Sequence, residues 1–155
     1  MTQRAPIYTA EAHVTGGRAE GHGRTSDGAL EVDLRTPEEM GGSGGGTNPE
    51  QLFAVGFAAC FESALGVVAR RRKQEAGDVA IDSKAMLVPT EDRAFDVAVT
   101  LDVTLPSVED AEEAVELVKA AHKVCPYSRA TRGNIDVALS ANGRVIEKPS
   151  KPVAA

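Results

Sequence analysis

The segment from Pro49 to about Arg72, read as a helix, is apolar on nearly every side. Leu52, Phe53, Val55, Phe57, Phe61, Leu65, Val67 and Val68 are spread around its circumference instead of falling on one stripe. Its ends carry ordinary helix signals. Asn48 can cap the first turn, Pro49 suits the first helical position, and Glu50 complements the positive end. Arg70, Arg71, Arg72 and Lys73 sit at the negative end. Gly56, Glu62, Ser63 and Gly66 interrupt the run, so it is read as a core helix and not as a membrane span. A helix that is apolar all round must be covered all round, yet a sheet covers only one side. With one other long helix in the chain, a second copy is the natural cover, and an obligate homodimer is expected.

The flanking segments supply the sheet. Residues 7–14 alternate with Tyr8, Ala10, Ala12 and Val14 on one face, which predicts a strand. Gly16-Gly17 turns the chain, a second extended stretch begins at Arg18, and Asp27-Gly28 signals a hairpin into Leu30, Val32 and Leu34. Beyond the first helix, 79–88 and 95–105 read as strands, the latter alternating from Phe95 to Leu105 without a fault. A second helix is predicted from Ser107, its stripe running through Ala114, Val118 and Ala121 to Cys125. A short helical piece starts at Pro126, Gly133 stops it, and Ile135, Val137 and Leu139 form a last strand. The order βββ–α–ββ–α–β predicts an α+β fold with a mainly antiparallel sheet. One domain over 1–141 is expected, followed by a loose tail over 142–155.

The chain of 155 residues is long enough to bury its own core, and 42% apolar with 26% charged residues is ordinary for a globular domain. A net charge of −6 and the absence of Trp argue against nucleic acid and anionic membrane as partners. Met1-Thr2-Gln3-Arg4-Ala5-Pro6 has no apolar core of a secretory signal, and two Cys suggest thiols and not a disulfide framework, so the cytoplasm is the expected location.

Three features invite chemistry. The loop Gly41 to Gly46 lacks the Gly-Lys-Ser/Thr of a phosphate loop and reads as a mobile connector. His13, His22 and His122 have no zinc-like spacing with the cysteines, so no metal is expected. That leaves Cys60 and Cys125, whose plainest reading is two small buried hydrophobes. Cys60 lies in apolar surroundings, which raise a thiol pKa and suppress reaction unless a charge is brought to it. Arg18, aimed by the Gly-Gly turn and held by Glu50 in a bidentate pair, could supply that charge. Glu50 and Cys60 are ten positions apart on one helix, about 15 Å of rise, so Arg18 and Glu50 would have to serve the Cys60 of another protomer. Local chemistry alone favours the other thiol: Cys125 precedes Pro126 at a helix start, where thiols are acidic.

Gly16-Gly17-Arg18, Gly45-Gly46-Thr47-Asn48-Pro49-Glu50-Gln51-Leu52-Phe53, Ala58-Ala59-Cys60-Phe61 and the run from Cys125-Pro126-Tyr127-Ser128 to Arg132-Gly133-Asn134-Ile135 resemble the OsmC/Ohr family over about residues 7–141. The second cysteine motif is similar to that of its organic hydroperoxide resistance branch. The resemblance implies mainly antiparallel sheets wrapped around central buried helices in an intertwined homodimer. It implies a thiol peroxidase that reduces organic hydroperoxides, including those of fatty acids, to alcohols. Carried over by position, Cys60 is the peroxidatic and Cys125 the resolving cysteine, and Arg18 with Glu50 activates the thiolate. No bound cofactor is implied; an external dihydrolipoyl group on a lipoylated protein is the implied electron donor. Phe53, Phe57 and Phe61 are the candidate walls of a pocket for bulky hydroperoxides. The alternatives are an OsmC-branch peroxidase, a redox sensor that uses the same cysteine pair without turnover, and an inert dimeric stress protein with structural thiols.

Overall fold

The protein is described by a computed structural model covering residues 4–148. Its chain divides into two compact units, Met1–Leu52 and Phe53–Ala155, and the boundary falls in the first turn of a continuous helix. Each part has its own sheet.

The first unit is an antiparallel sheet of β1 (Ala12–Thr15), β2 (Glu20–Thr25) and β3 (Glu31–Arg35), in that order. The β1–β2 turn depends on glycine. Gly16 and Gly17 both have positive φ, and a Cβ on Gly16 would lie 2.3 Å from the Glu20 carbonyl oxygen. Pairing of the first strand begins only at Ala12. The alternation upstream of it, from Ile7, has no neighbouring strand to cover it, and Ile7 and Tyr8 are exposed. The glycine-rich loop is not the free connector that its composition suggests. After a 3-10 turn at Glu38–Met40, Gly42 N–H donates to Pro37 O and Gly44 N–H to Thr36 O, which ties the loop back onto the end of β3.

Helix α1 (Pro49–Arg71) starts as predicted: Asn48 Oδ1 accepts from the Gln51 N–H at 2.9 Å, and Pro49 occupies the first position. Its buried residues, Phe57, Phe61, Ala64, Leu65, Val68 and Ala69, make a single stripe at helical spacing. All-round burial is therefore not met within one chain. Val55 is 71% exposed, because the core packs against only one side of the helix. By length and composition α1 is apolar enough to cross a bilayer, so Gly56, Glu62, Ser63 and Gly66 break the run less than the sequence reading supposed. Its stripe nevertheless belongs to the protein core.

The second unit carries a sheet in the order β4 (Ala80–Pro89), β5 (Phe95–Thr104), β6 (Val137–Ala141), β7 (Arg144–Glu147). β4 and β5 form a long antiparallel hairpin, β5 and β6 run parallel, and β6 and β7 are antiparallel. Helix α2 (Ala111–Val124) is capped by Asp110, whose carboxylate accepts from the Glu113 N–H, and so starts later than Ser107. Helix α3 (Pro126–Thr131) follows directly. Val99, Leu101 and Val103 from β5, Leu117, Val118 and Ala121 from α2, and Leu139 from β6 close over the α1 stripe.

The loose tail expected from 142 is corrected by β7. Asn142 and Gly143, with φ of 48° and 79°, form the turn of a hairpin that folds β7 onto β6. Asn142 also accepts from Leu105 N–H at 2.7 Å and donates to Leu105 O at 3.2 Å, pinning the turn to the core. The Asn-Gly pair is the sequence signal for this hairpin. The rest of the expected tail, 149–155, lies outside the described residues.

Candidate active site

Helix α1 and the α2–α3 junction bring the two cysteines together. Cys60 is half-buried on α1, and Cys125 is fully buried where α2 ends and α3 begins. Their Sγ atoms are 3.7 Å apart and both thiols are free. A disulfide needs about 2.05 Å, so the pair is within a small movement of bonding. Cysteines 65 positions apart in the chain meet because α1 and the α2–α3 junction belong to the same core.

Burial pushes the Cys60 thiol up from its ordinary pKa; the Tyr127 backbone N–H pulls it down, and the adjoining Cys125 sulfur adds to the rise. The main chain at the start of α3 favours the thiolate of Cys60, reaching it across the gap between helices. Burial still dominates, so the thiol needs a further positive influence to ionise at neutral pH.

Around Cys60 the aromatics form one group. Phe53 stacks on Tyr127 with ring centroids 6.1 Å apart, and Phe57 meets both edge-on at 5.9 and 5.7 Å. Phe57 and Phe61 are fully buried and belong to the core, whereas Phe53 is only partly buried and Tyr127 is exposed. Of the three predicted pocket residues, Phe53 is thus the one with free surface; Phe57 packs against it, and Phe61 lies in the core beside His122. Tyr127 is the residue that the sequence reading left out. It stands within the Cys-Pro-Tyr-Ser motif, but its contacts are with α1, whose Phe57 lies 70 positions earlier.

Arg18 and Glu50 also find each other, within the first unit. The guanidinium donates from Nη1 to Glu50 Oε2 at 3.0 Å and from Nη2 to Oε1 at 2.8 Å, the bidentate geometry expected. Hydrogen bonding to Arg18 holds the Glu50 carboxyl below its ordinary range. A lowered carboxyl pKa contributes stability above the unfolded value, and the contribution is lost as pH falls through the folded value. The pair should therefore persist below about pH 4.3, the ordinary glutamate value. NMR titration of the Glu50 side chain checks this. Arg18→Ala should move the midpoint back up towards that value; an unchanged midpoint would separate Glu50 from Arg18.

Among the described residues no group of His, Cys, Asp and Glu could hold a metal ion. His22 is instead exposed on β2 between Asp33 at 2.9 Å and Glu31 at 3.1 Å, whose hydrogen bonds raise its pKa. His13 and His22 line a cleft with Glu11 and Arg24 that holds neither cysteine.

Known proteins resemble this chain over most of its length. A curated organic hydroperoxide resistance protein from Xanthomonas axonopodis pv. citri is 51% identical over 138 residues, covering 86% of this chain and 94% of its own length. The crystal structure of an organic hydroperoxide resistance protein from Legionella pneumophila matches with a TM-score of 0.83 and 48% identity, covering 88% of this chain and 98% of that one. The organic hydroperoxide resistance protein OhrB of Bacillus subtilis superposes with a TM-score of 0.79 at 46% identity, covering 87% and 98%. The α+β fold is thus that of these proteins. With residues 42–140 also matching the family described as OsmC-like protein, the chain belongs to the OsmC/Ohr family, in its organic hydroperoxide resistance branch.

Proposed function

We propose that the protein is a cysteine peroxidase that reduces organic hydroperoxides to alcohols. The observation that carries this reading is the free Cys60–Cys125 pair at 3.7 Å, in a chain whose relatives are named for organic hydroperoxide resistance. The Cys60 thiolate attacks one peroxide oxygen, the O–O bond breaks, and the alcohol leaves while Cys60 becomes a sulfenic acid. Cys125 then condenses with it to a disulfide and releases water. An external dithiol reduces the disulfide by exchange, for which we propose a dihydrolipoyl group carried by a lipoylated protein.

The working unit in this proposal is an intertwined cytoplasmic homodimer with its sites at the interface. Two observations support it: α1 leaves an apolar side, including Val55, uncovered within the chain, and Glu50 holds the Arg18 guanidinium in a bidentate pair. The guanidinium of one protomer would stabilise the Cys60 thiolate of the other and the charge that develops on the leaving oxygen. The partly exposed rings of Phe53 and Tyr127 favour an apolar tail on the substrate.

Consumption of tert-butyl or fatty-acid hydroperoxide, measured against hydrogen peroxide with dihydrolipoamide as reductant, tests the reading. Organic hydroperoxides should turn over repeatedly and at least about tenfold more efficiently, the discrimination expected of an apolar pocket. Oxidation that stops after one equivalent with dithiol in excess would instead indicate a redox sensor.

A further inference from the structure

We propose that His122 is a positioning residue that sets the reach of Cys125. This rests on the peroxidase reading above and adds a residue to it. His122 lies in the last turn of α2, with its side chain only 12% exposed. Its Nδ1 is 2.9 Å from Ser128 Oγ on α3, and Ser128 is fully buried. The hydrogen bond closes a loop whose midpoint is Cys125, at the point where the backbone leaves one helix and enters the next.

Other contacts hold the same corner. Arg132 donates from Nη2 to the His122 carbonyl oxygen, and its N–H donates to Ser128 O at 3.0 Å. His122 Nε2 faces Glu147 Oε1 at 3.9 Å across from β7, and the ring lies 6.3 Å from that of Phe61 on α1. Either neutral tautomer of the ring can share one proton between Nδ1 and the Ser128 hydroxyl. The imidazole thus ties together the two helices between which the Cys125 sulfur is presented.

The step this controls is the second one. Cys60–S–OH and Cys125–SH form the Cys60–S–S–Cys125 bond; the S–O bond breaks, and the hydroxyl leaves as water with the proton of Cys125. The Cys60 sulfur is reduced and the Cys125 sulfur oxidised by the same amount. The two sulfurs must close by about 1.7 Å from 3.7 Å, so loosening of the corner lowers the fraction of time spent within reach. A sulfenic acid left waiting is open to a second hydroperoxide, which takes it to the sulfinic acid.

The test follows the two steps separately by rapid acid quench, thiol labelling and intact mass, with tert-butyl hydroperoxide as oxidant. In His122→Phe, disulfide formation should slow roughly tenfold relative to Cys60 oxidation, the effect of about one lost hydrogen bond, and the sulfinic fraction should rise in step. Ser128→Ala should reproduce the effect through the other partner, should His122→Phe not fold. His122→Asn, which keeps a hydrogen-bonding group, should recover most of the rate. An unchanged ratio of the two rates in both disruptive variants, or an equal loss in His122→Asn, would overturn the positioning role while leaving the peroxidase reading intact. Failure of the wild-type chain to form the Cys60–Cys125 disulfide would overturn the peroxidase reading itself, and the positioning role with it.

Discussion

Cys60→Ser should abolish hydroperoxide turnover, because no other residue can then form the sulfenic acid at this site. Cys125→Ser should still reduce one equivalent of hydroperoxide and then accumulate oxidised Cys60. The asymmetry comes from placement. Cys60 is half-buried on α1, the helix that also carries the partly buried Phe53, whereas Cys125 is sealed in the core. Mass analysis after one equivalent of tert-butyl hydroperoxide distinguishes the two variants. A burst of reduction that survives Cys60→Ser would reverse the roles and restore the helix-start reading of Cys125.

A mixed dimer of Cys60→Ser and Arg18→Ala chains should regain about half the wild-type activity, although each homodimer is nearly inactive. If each site takes Arg18 and Glu50 from one protomer and both cysteines from the other, one of its two sites carries both lesions and the other carries none. Were every site built from one chain, both would be defective and activity would remain near zero. Purified heterodimers carrying two different affinity tags make the comparison direct. Failure of complementation would remove the interface site, and with it the reason proposed for the uncovered side of α1.

Local elements were largely legible because their signals are local. Asn48-Pro49 started α1 where the structure starts it, and Asp27-Gly28 marked a real turn. The Arg18–Glu50 pair was also legible, since a glycine turn and a helix start limit where two long side chains can go. The strand expected over 7–14 forms only from Ala12 onward, for a physical reason: alternation tells which face is apolar, not whether a neighbouring strand exists to use it. β7 is different, because Asn142-Gly143 is itself a usable turn signal for its hairpin.

By itself, the sequence determined the helix and strand periods, the α+β class and the family, through residues whose chemistry acts over a few positions. It also singled out both thiols and the Arg18–Glu50 pair. Only the tertiary structure decided what those thiols meet. That Cys125 stands 3.7 Å from Cys60, that the Tyr127 backbone works against the burial that raises the Cys60 pKa, and that His122 braces the corner through Ser128 all depend on how separate elements meet. Thiol pKa and reach depend on burial and on donors within a few ångströms, and those are set by how α1, α2 and α3 pack, not by their order along the chain.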